Sequence, residues 1–259
     1  MGLFRVLIYG IILAVYASAL FYDVRFMPRL GVVWWVEKLV MLSMLNLSLQ
    51  SFYALLCFVC ALFDWNEEFV HGEQHKKVKA THVPSYWRRS RLHRICDFVY
   101  ATAAFPVGMA SSLMFWALYV ADPELVMPAW VAKLVPDWLN HVSHTAPVAF
   151  VLVDTLLTCH HAPDRKIGST VVVALFLFYV GIIISVRLIS GHWLYPIFDR
   201  LSNQQIVGLL STAGALFWFL YLIGDGFNMA LWGKAPHSVD DEGKNKQQQM
   251  MGGKKVRAD

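Results

Sequence analysis

The chain has 259 residues, of which 57% are hydrophobic and only 15% charged, with a formal net charge of +4. A soluble domain carries about 25% charged residues, and here the charges collect between about 64 and 94 and after 233. That pattern excludes an ordinary soluble domain, and the small basic excess belongs to loops and tail, so it points to no nucleic-acid partner.

Crossing ~30 Å of hydrocarbon takes ~20 mostly apolar residues. Hydropathy predicts six spans, near 4–22, 39–63, 95–120, 145–161, 169–190 and 206–232. The expected fold is therefore all-α, an integral membrane bundle of about six transmembrane helices. The first span resembles a signal peptide in its Arg5 and its Ala17-Ser18-Ala19 run, but its long apolar stretch fits an uncleaved anchor. The second holds Cys57 and Cys60, whose C-x-x-C spacing falls mid-span. Buried small hydrophobes are expected there, not a redox or zinc pair. The polar, basic stretch from Asp64 to Arg94, interrupted by Pro84, is expected to lie as a loop on the anionic cytosolic leaflet. Cys96, at the head of the third span, is a candidate for palmitoylation.

The segment from Asp122 to His144 is poor in charge and carries Pro123, Pro128, Pro136, Trp130 and Trp138. The loop Gly191-His192-Trp193-Leu194-Tyr195-Pro196, after the fifth span, has the same aromatic character. Indole rings favour the headgroup layer, so the two loops are expected to roof one pocket on one face of the bundle. The tail from Lys234 is rich in Lys, Gln and Gly and is expected to be disordered. This divides the chain into a membrane domain, 1–233, and a tail, 234–259.

Lys and Arg set the orientation. With a cytosolic N-terminus, sixteen fall on the cytosolic side and five on the other, with Arg187 inside a span. The bias places the N- and C-termini in the cytosol, in an endomembrane such as the endoplasmic reticulum or in the plasma membrane.

Polar groups inside spans are costly and become functional candidates for that reason. Ser43, Asn46 and Gln50 share a stripe of the second helix. Such residues also serve as interhelical glue, and the stripe alone decides nothing. His141 and His144, three apart on a helix face, stand at the same depth as Ser43 on the non-cytosolic side. A neutral imidazole is the usual partner that takes the proton of a hydroxyl attacking an acyl carbon. No carboxylate is placed to orient His144: Asp154 lies about 15 Å further down the helix, and Asp122 and Glu124 are loop residues. Asp97, Asp225 and Asn228 are expected to pair across helices. A metal site built from His141, His144, His160, His161 and His192 is disfavoured, because the first two and the next two fall on opposite sides of the membrane.

Several motifs occur in order: Ala104-Phe105-Pro106-Val107-Gly108, Phe115-Trp116, Pro136-Asp137-Trp138-Leu139-Asn140-His141 with His144-Thr145, and Gly191-His192-Trp193-Leu194-Tyr195-Pro196. Together they resemble the androgen-induced-gene-1 / androgen-dependent TFPI-regulating protein family, over roughly residues 10 to 232. The resemblance implies a multi-pass membrane hydrolase of fatty acid esters of hydroxy fatty acids, acting through a threonine nucleophile and a histidine. By position the histidine falls on His144 and the threonine on Ser43. Serine keeps the hydroxyl and loses a methyl, which leaves its rotamer less restricted.

The expected site therefore has Ser43 as nucleophile and His144 as base. Asn46, Gln50, Asn140, His141, Arg187, His192 and Trp193 are expected around a lipid substrate that enters from the bilayer. Arg187 or His192 would meet a free carboxylate. No metal or organic cofactor is expected, and protein partners are not legible. The rival reading is a non-enzymatic membrane scaffold in which the stripe and His144 are structural.

Overall fold

A computed structural model describes residues 2–28, 34–71 and 90–232 of the chain. Among the described residues the fold is all-helical. In chain order it comprises α1 (Gly2–Phe26), α2 (Trp34–Val40), α3 (Leu42–His71), α4 (Arg91–Val99), a π-turn (Tyr100–Ala104), α5 (Phe105–Ala121), α6 (Ala129–Ala132), α7 (Asp137–His144), α8 (Ala146–Leu157), α9 (Arg165–Ser190) and α10 (Asn203–Trp232). Among these residues, five stretches are long and apolar enough to cross a membrane: Gly2–Phe26, Leu42–Trp65, Arg91–Ala121, Arg165–Ser190 and Asn203–Trp232. The chain is a multi-pass membrane protein.

The fourth expected span differs from the rest. It is the shorter apolar helix α8, preceded by the separate α7. Pro147 stands in the first turn of α8. It offers no N–H to the carbonyl four residues back, and its ring crowds that carbonyl. The helix therefore breaks at Thr145, and His144 is left at the end of α7, outside the spans. Pro106 acts in a similar place. It opens α5 directly after the π-turn, whose wider coil accommodates the missing hydrogen bond within one continuous helix.

α1 packs lengthwise on α3, burying Val6, Tyr9, Ile12, Tyr16 and Ala19. α3 does not end at Asp64, where a loop was expected. It runs on to His71 because Asp64 is buried, ion-paired with Arg5 at 2.8 Å and bonded to His93 at 2.9 Å. The remaining basic run, 76–89, and the tail 234–259 lie outside the described residues. Cys57 and Cys60 are buried hydrophobes as expected. Cys96 is buried too, its Sγ 3.6 Å from that of Cys57, so it is not open to acylation. α9 ends at Gly191, whose φ of 75° is the left-handed cap that glycine adopts without strain.

One end of the bundle is a dense polar cluster. Asp154 of α8 accepts from Tyr9 and Tyr53 and lies 3.1 Å from His160 Nε2. The other His160 nitrogen is 3.0 Å from Asp97 of α4. Tyr100 stacks on the His160 ring at 3.7 Å and bonds Thr155. Asn228 of α10 clasps the His160 backbone, accepting from its N–H and donating to its carbonyl, while Arg165 pairs with Asp225 at 3.1 Å. Asp97, Asp225 and Asn228 therefore pair across elements, as expected.

Candidate functional site

The opposite end of the bundle is hollow. A cavity of about 950 Å³ lies among the C-terminal part of α1, the start of α3, the end of α5, the Val126–His144 segment, α9, the loop after α9 and the first half of α10. The two aromatic loops do roof a single pocket, Trp130 and Trp193 both lining it. Its wall is mainly apolar, with Met44, Leu47, Met114, Phe115, Phe176 and Phe217 among its members. On this wall Lys38 is ion-paired with Asp23, and His192 Nε2 lies 3.0 Å from a Glu37 carboxylate oxygen.

Ser43 lies on this wall, second residue of α3. The helix start is anchored from the roof. The Leu42 N–H, one of the donors that a helix N-terminus leaves without an internal partner, donates to Tyr195 Oη at 2.8 Å, and Tyr195 Oη lies 2.5 Å from Tyr179 Oη. The loop after α9 thereby fixes the backbone beside Ser43.

His144 lies on the same wall. Its ring stacks face to face on Phe115 at 3.7 Å and 8°. Its carbonyl, near the break before Pro147, accepts from the Trp116 indole at 3.1 Å. Neighbouring residues of α5 thus hold the ring and the backbone of His144. Nδ1 is buried without a hydrogen-bond partner, which leaves Nε2 as the nitrogen to face the cavity. Burial alone pushes the imidazole from 6.5 down to about 4, so His144 is neutral at physiological pH. Among the described residues no carboxylate is hydrogen-bonded to the His144 ring. Asp122 pairs with Arg200 at 2.6 Å, Glu124 accepts from the Ala129 N–H, and Asp154 is held at the far end.

No hydrogen bond joins Ser43 to His144. A cross-helix contact nevertheless sets their relative level. Asn46 of α3 donates to Ser111 of the antiparallel α5 at 3.3 Å. Toward the cavity end, Ser43 is three residues from Asn46 and Phe115 four residues from Ser111, rises of ~4.5 and ~6 Å at 1.5 Å per residue. His144 stacks on Phe115, so the hydroxyl and the imidazole stand at about one level.

The other expected site residues divide. Asn140, His192 and Trp193 line the cavity. Asn46 and Gln50 lie behind the wall, fully buried and bonded across helices. His141 faces outward, its Nδ1 3.1 Å from Thr145 Oγ1 and its ring on Trp116 at 5.6 Å. Arg187 is also off the wall. It donates to the Gly191 carbonyl and lies over Trp193 at 5.3 Å. Among the described residues, no group of three or more His, Cys, Asp or Glu could hold a metal ion. Sequence reasoning missed Ser111, Ser143 and Lys38, all on the wall. A serine inside an apolar span was the one available signal for Ser111.

Comparison with known proteins agrees over the same region. A family profile described as FAR-17a/AIG1-like protein matches residues 4–229. The chain is 30% identical over 193 residues to the androgen-dependent TFPI-regulating protein of Mesocricetus auratus, covering 74% of this chain and 76% of that one. To the androgen-induced gene 1 protein of Homo sapiens it is 28% identical over 178 residues, 67% of this chain and 70% of that one. To the androgen-dependent TFPI-regulating protein of Mus musculus it is 36% identical over 137 residues, 53% of this chain and 60% of the mouse protein's length. No solved structure matches. The chain belongs to the FAR-17a/AIG1-like protein family.

Proposed function

We propose that the protein is an intramembrane hydrolase of lipid carboxylic esters, with Ser43 as nucleophile and His144 as general base. The observation that carries this reading is one hydroxyl and one neutral, cavity-facing imidazole at a common level on the wall of a large apolar cavity. The cavity volume is about 950 Å³, and at roughly 30 Å³ for a group the size of a water molecule or methylene it takes about thirty such groups. That suits a lipid of two acyl chains joined by an ester, such as a fatty acid ester of a hydroxy fatty acid. The basic side chains on the wall, Lys38 and His192, are paired with Asp23 and Glu37, so a free carboxylate would reach them only by displacing those acids; Arg187 lies off the wall, on the Gly191 carbonyl.

In the reaction, Ser43 Oγ bonds to the ester carbon as its proton passes to His144 Nε2. The carbonyl π electrons move to oxygen, giving a tetrahedral anion. Collapse of that anion breaks the ester C–O bond, and the departing alkoxide takes the proton back from His144. Water then gives a proton to the same imidazole as its oxygen bonds to the acyl carbon; the bond from that carbon to Ser43 Oγ breaks, Ser43 takes the proton from His144, and the fatty acid is freed. No metal is required. Ser43 and His144 have to close on each other once substrate fills the cavity, since catalytic hydrogen bonds often tighten only in the loaded state. With the termini cytosolic, the cavity opens to the outer or lumenal leaflet. Residues 1–233 form the catalytic unit and 234–259 a cytosolic tail.

Labelling with a fluorophosphonate probe tests the dyad. Wild-type protein reacts, and Ser43→Ala and His144→Ala do not. Equal labelling of all three would sink the assignment.

A further inference from the structure

The buried amides behind the cavity form a hydrogen-bond chain whose direction is fixed by its far end. That end is the carbonyl of Ala104, the last residue of the π-turn, and a carbonyl can only accept. Gln50 Nε2 donates to it at 2.8 Å. The second hydrogen of the same Nε2 reaches Asn46 Oδ1 at 3.2 Å. With its oxygen engaged there, Asn46 turns Nδ2 toward Ser111 Oγ at 3.3 Å. Both amide orientations therefore follow from one backbone carbonyl.

Ser111 must accept from Asn46, so its own hydroxyl proton goes elsewhere. Helical hydroxyls often return that proton to the carbonyl one turn back, as Ser51 does to Leu47 and Thr102 to Phe98. Ser111 has no such bond among the described residues. The residue is 4% exposed and lines the cavity. The chain thus ends in one buried, polarised O–H with the cavity beside it.

We propose that Ser111 is the oxyanion donor of the hydrolase, an assignment that rests on the Ser43–His144 reading above. Ser111 stands level with Asn46, about one helical turn, or ~4.5 Å, from the level of Ser43. A carbonyl fits in that interval, its carbon at Ser43 Oγ and its oxygen toward Ser111. As the carbon becomes tetrahedral, the oxygen gains negative charge and the Ser111 hydrogen bond strengthens. The amides behind it stabilise the same charge through the aligned chain. Ser111 forms no covalent bond and moves no proton; it only donates.

The test uses the full chain in lipid nanodiscs, with turnover of a 4-methylumbelliferyl ester and inhibition by a trifluoromethyl ketone, which binds serine hydrolases as a tetrahedral oxyanion. Removing one oxyanion donor is expected to lower kcat roughly 100-fold. Ser111→Ala should do this with KM within about twofold, and should weaken the ketone by a factor like the loss in kcat/KM. Ser111→Thr keeps the hydroxyl and should recover most of the rate. Asn46→Asp is the sharper variant. Its carboxylate accepts from both Gln50 and Ser111, so the donor is consumed while the Ser111 hydroxyl remains, and kcat falls as in Ser111→Ala.

Folded Ser111→Ala protein that keeps its kcat to within about threefold overturns the proposal. So does Ser111→Ala protein that loses fluorophosphonate labelling entirely, since Ser111 would then be the nucleophile. Wild-type protein that neither turns over the ester nor takes the label removes the dyad reading itself. That failure is distinct, because it appears before any variant is compared.

Discussion

The two ends of this bundle contain similar side chains and use them in opposite ways. At the far end, the His160 ring lies between Asp97 and Asp154, Asp154 also accepts from Tyr9 and Tyr53, and Tyr100 covers the imidazole. Both ring nitrogens are within hydrogen-bond reach of a carboxylate, the arrangement of an imidazolium bridging two anions. At the cavity end, the His144 ring also lies flat on an aromatic face, but among the described residues no carboxylate is hydrogen-bonded to it and Nδ1 has no partner. Two histidines stacked on aromatics at 3.7 Å thus have different polar surroundings. A histidine with both nitrogens bonded holds helices together. One left neutral beside a void has a lone pair for chemistry.

Substituting each histidine separates these roles most strongly. Removing one partner of a buried ion pair costs about 3–5 kcal/mol, because the remaining charge is left buried alone. His160→Ala abandons two carboxylates, and the expected outcome is loss of folded protein, read as a collapsed monodisperse peak and a lowered thermal midpoint in detergent. His144→Ala loses no hydrogen bond from its ring, so the fold should survive while hydrolysis disappears. If His160→Ala protein were as stable as wild type, the far end would not be the structural lock described above.

The pH profile carries the next effect. Burial holds His144 at about 4, whereas a free imidazole titrates near 6.5. A base works in its neutral form, so kcat/KM should stay level from pH 7 to about 5 and fall only as pH nears 4. At pH 5 an imidazole of pKa 6.5 would be only ~3% neutral, so the two cases differ by about thirtyfold in rate. Stability follows the same group. Below about 6.5 the unfolded chain binds a proton that folded His144 does not, so stability is lost as pH drops from there toward 4. An acid limb at 6.5 would show that His144 titrates in contact with water.

The contrast between the two ends was only partly legible in the sequence. The spans were, because a window of apolar residues has one stable environment. The placement of His144 on one cavity wall with Ser43 was, since their common depth follows from topology. Asp64 was misread because a charge at the end of an apolar run looks like a loop, until Arg5 and His93 are seen to be its partners. Asn46 and Gln50 were expected at the substrate, and instead lie behind the wall to which Ser111 belongs. Nothing local distinguishes a wall serine from a packing serine. The direction of a hydrogen-bond chain depends on residues some sixty positions apart, and no periodicity carries it.

Gly108 lies where the two ends meet, and the effect expected there is the smallest. A Cβ at this position would stand 2.6 Å from Gln50 Nε2 and 3.4 Å from Pro147 Cβ. Gly108→Ala must therefore displace the amide of Gln50 from the Ala104 carbonyl and from Asn46. Overpacking of this kind costs about 1–3 kcal/mol, moderated here because the contact is the far end of a flexible side chain. The bundle should fold with a slightly lower thermal midpoint. Once Gln50 no longer fixes Asn46, the Asn46 amide can rotate and accept from Ser111 instead. The hydroxyl is then lost to the cavity in part of the population, and kcat should fall about tenfold, or ~1.4 kcal/mol, with KM little changed. Equal loss of stability and activity, with no selective effect on kcat, would assign Gln50 to the far end of the molecule, as one more bond between helices.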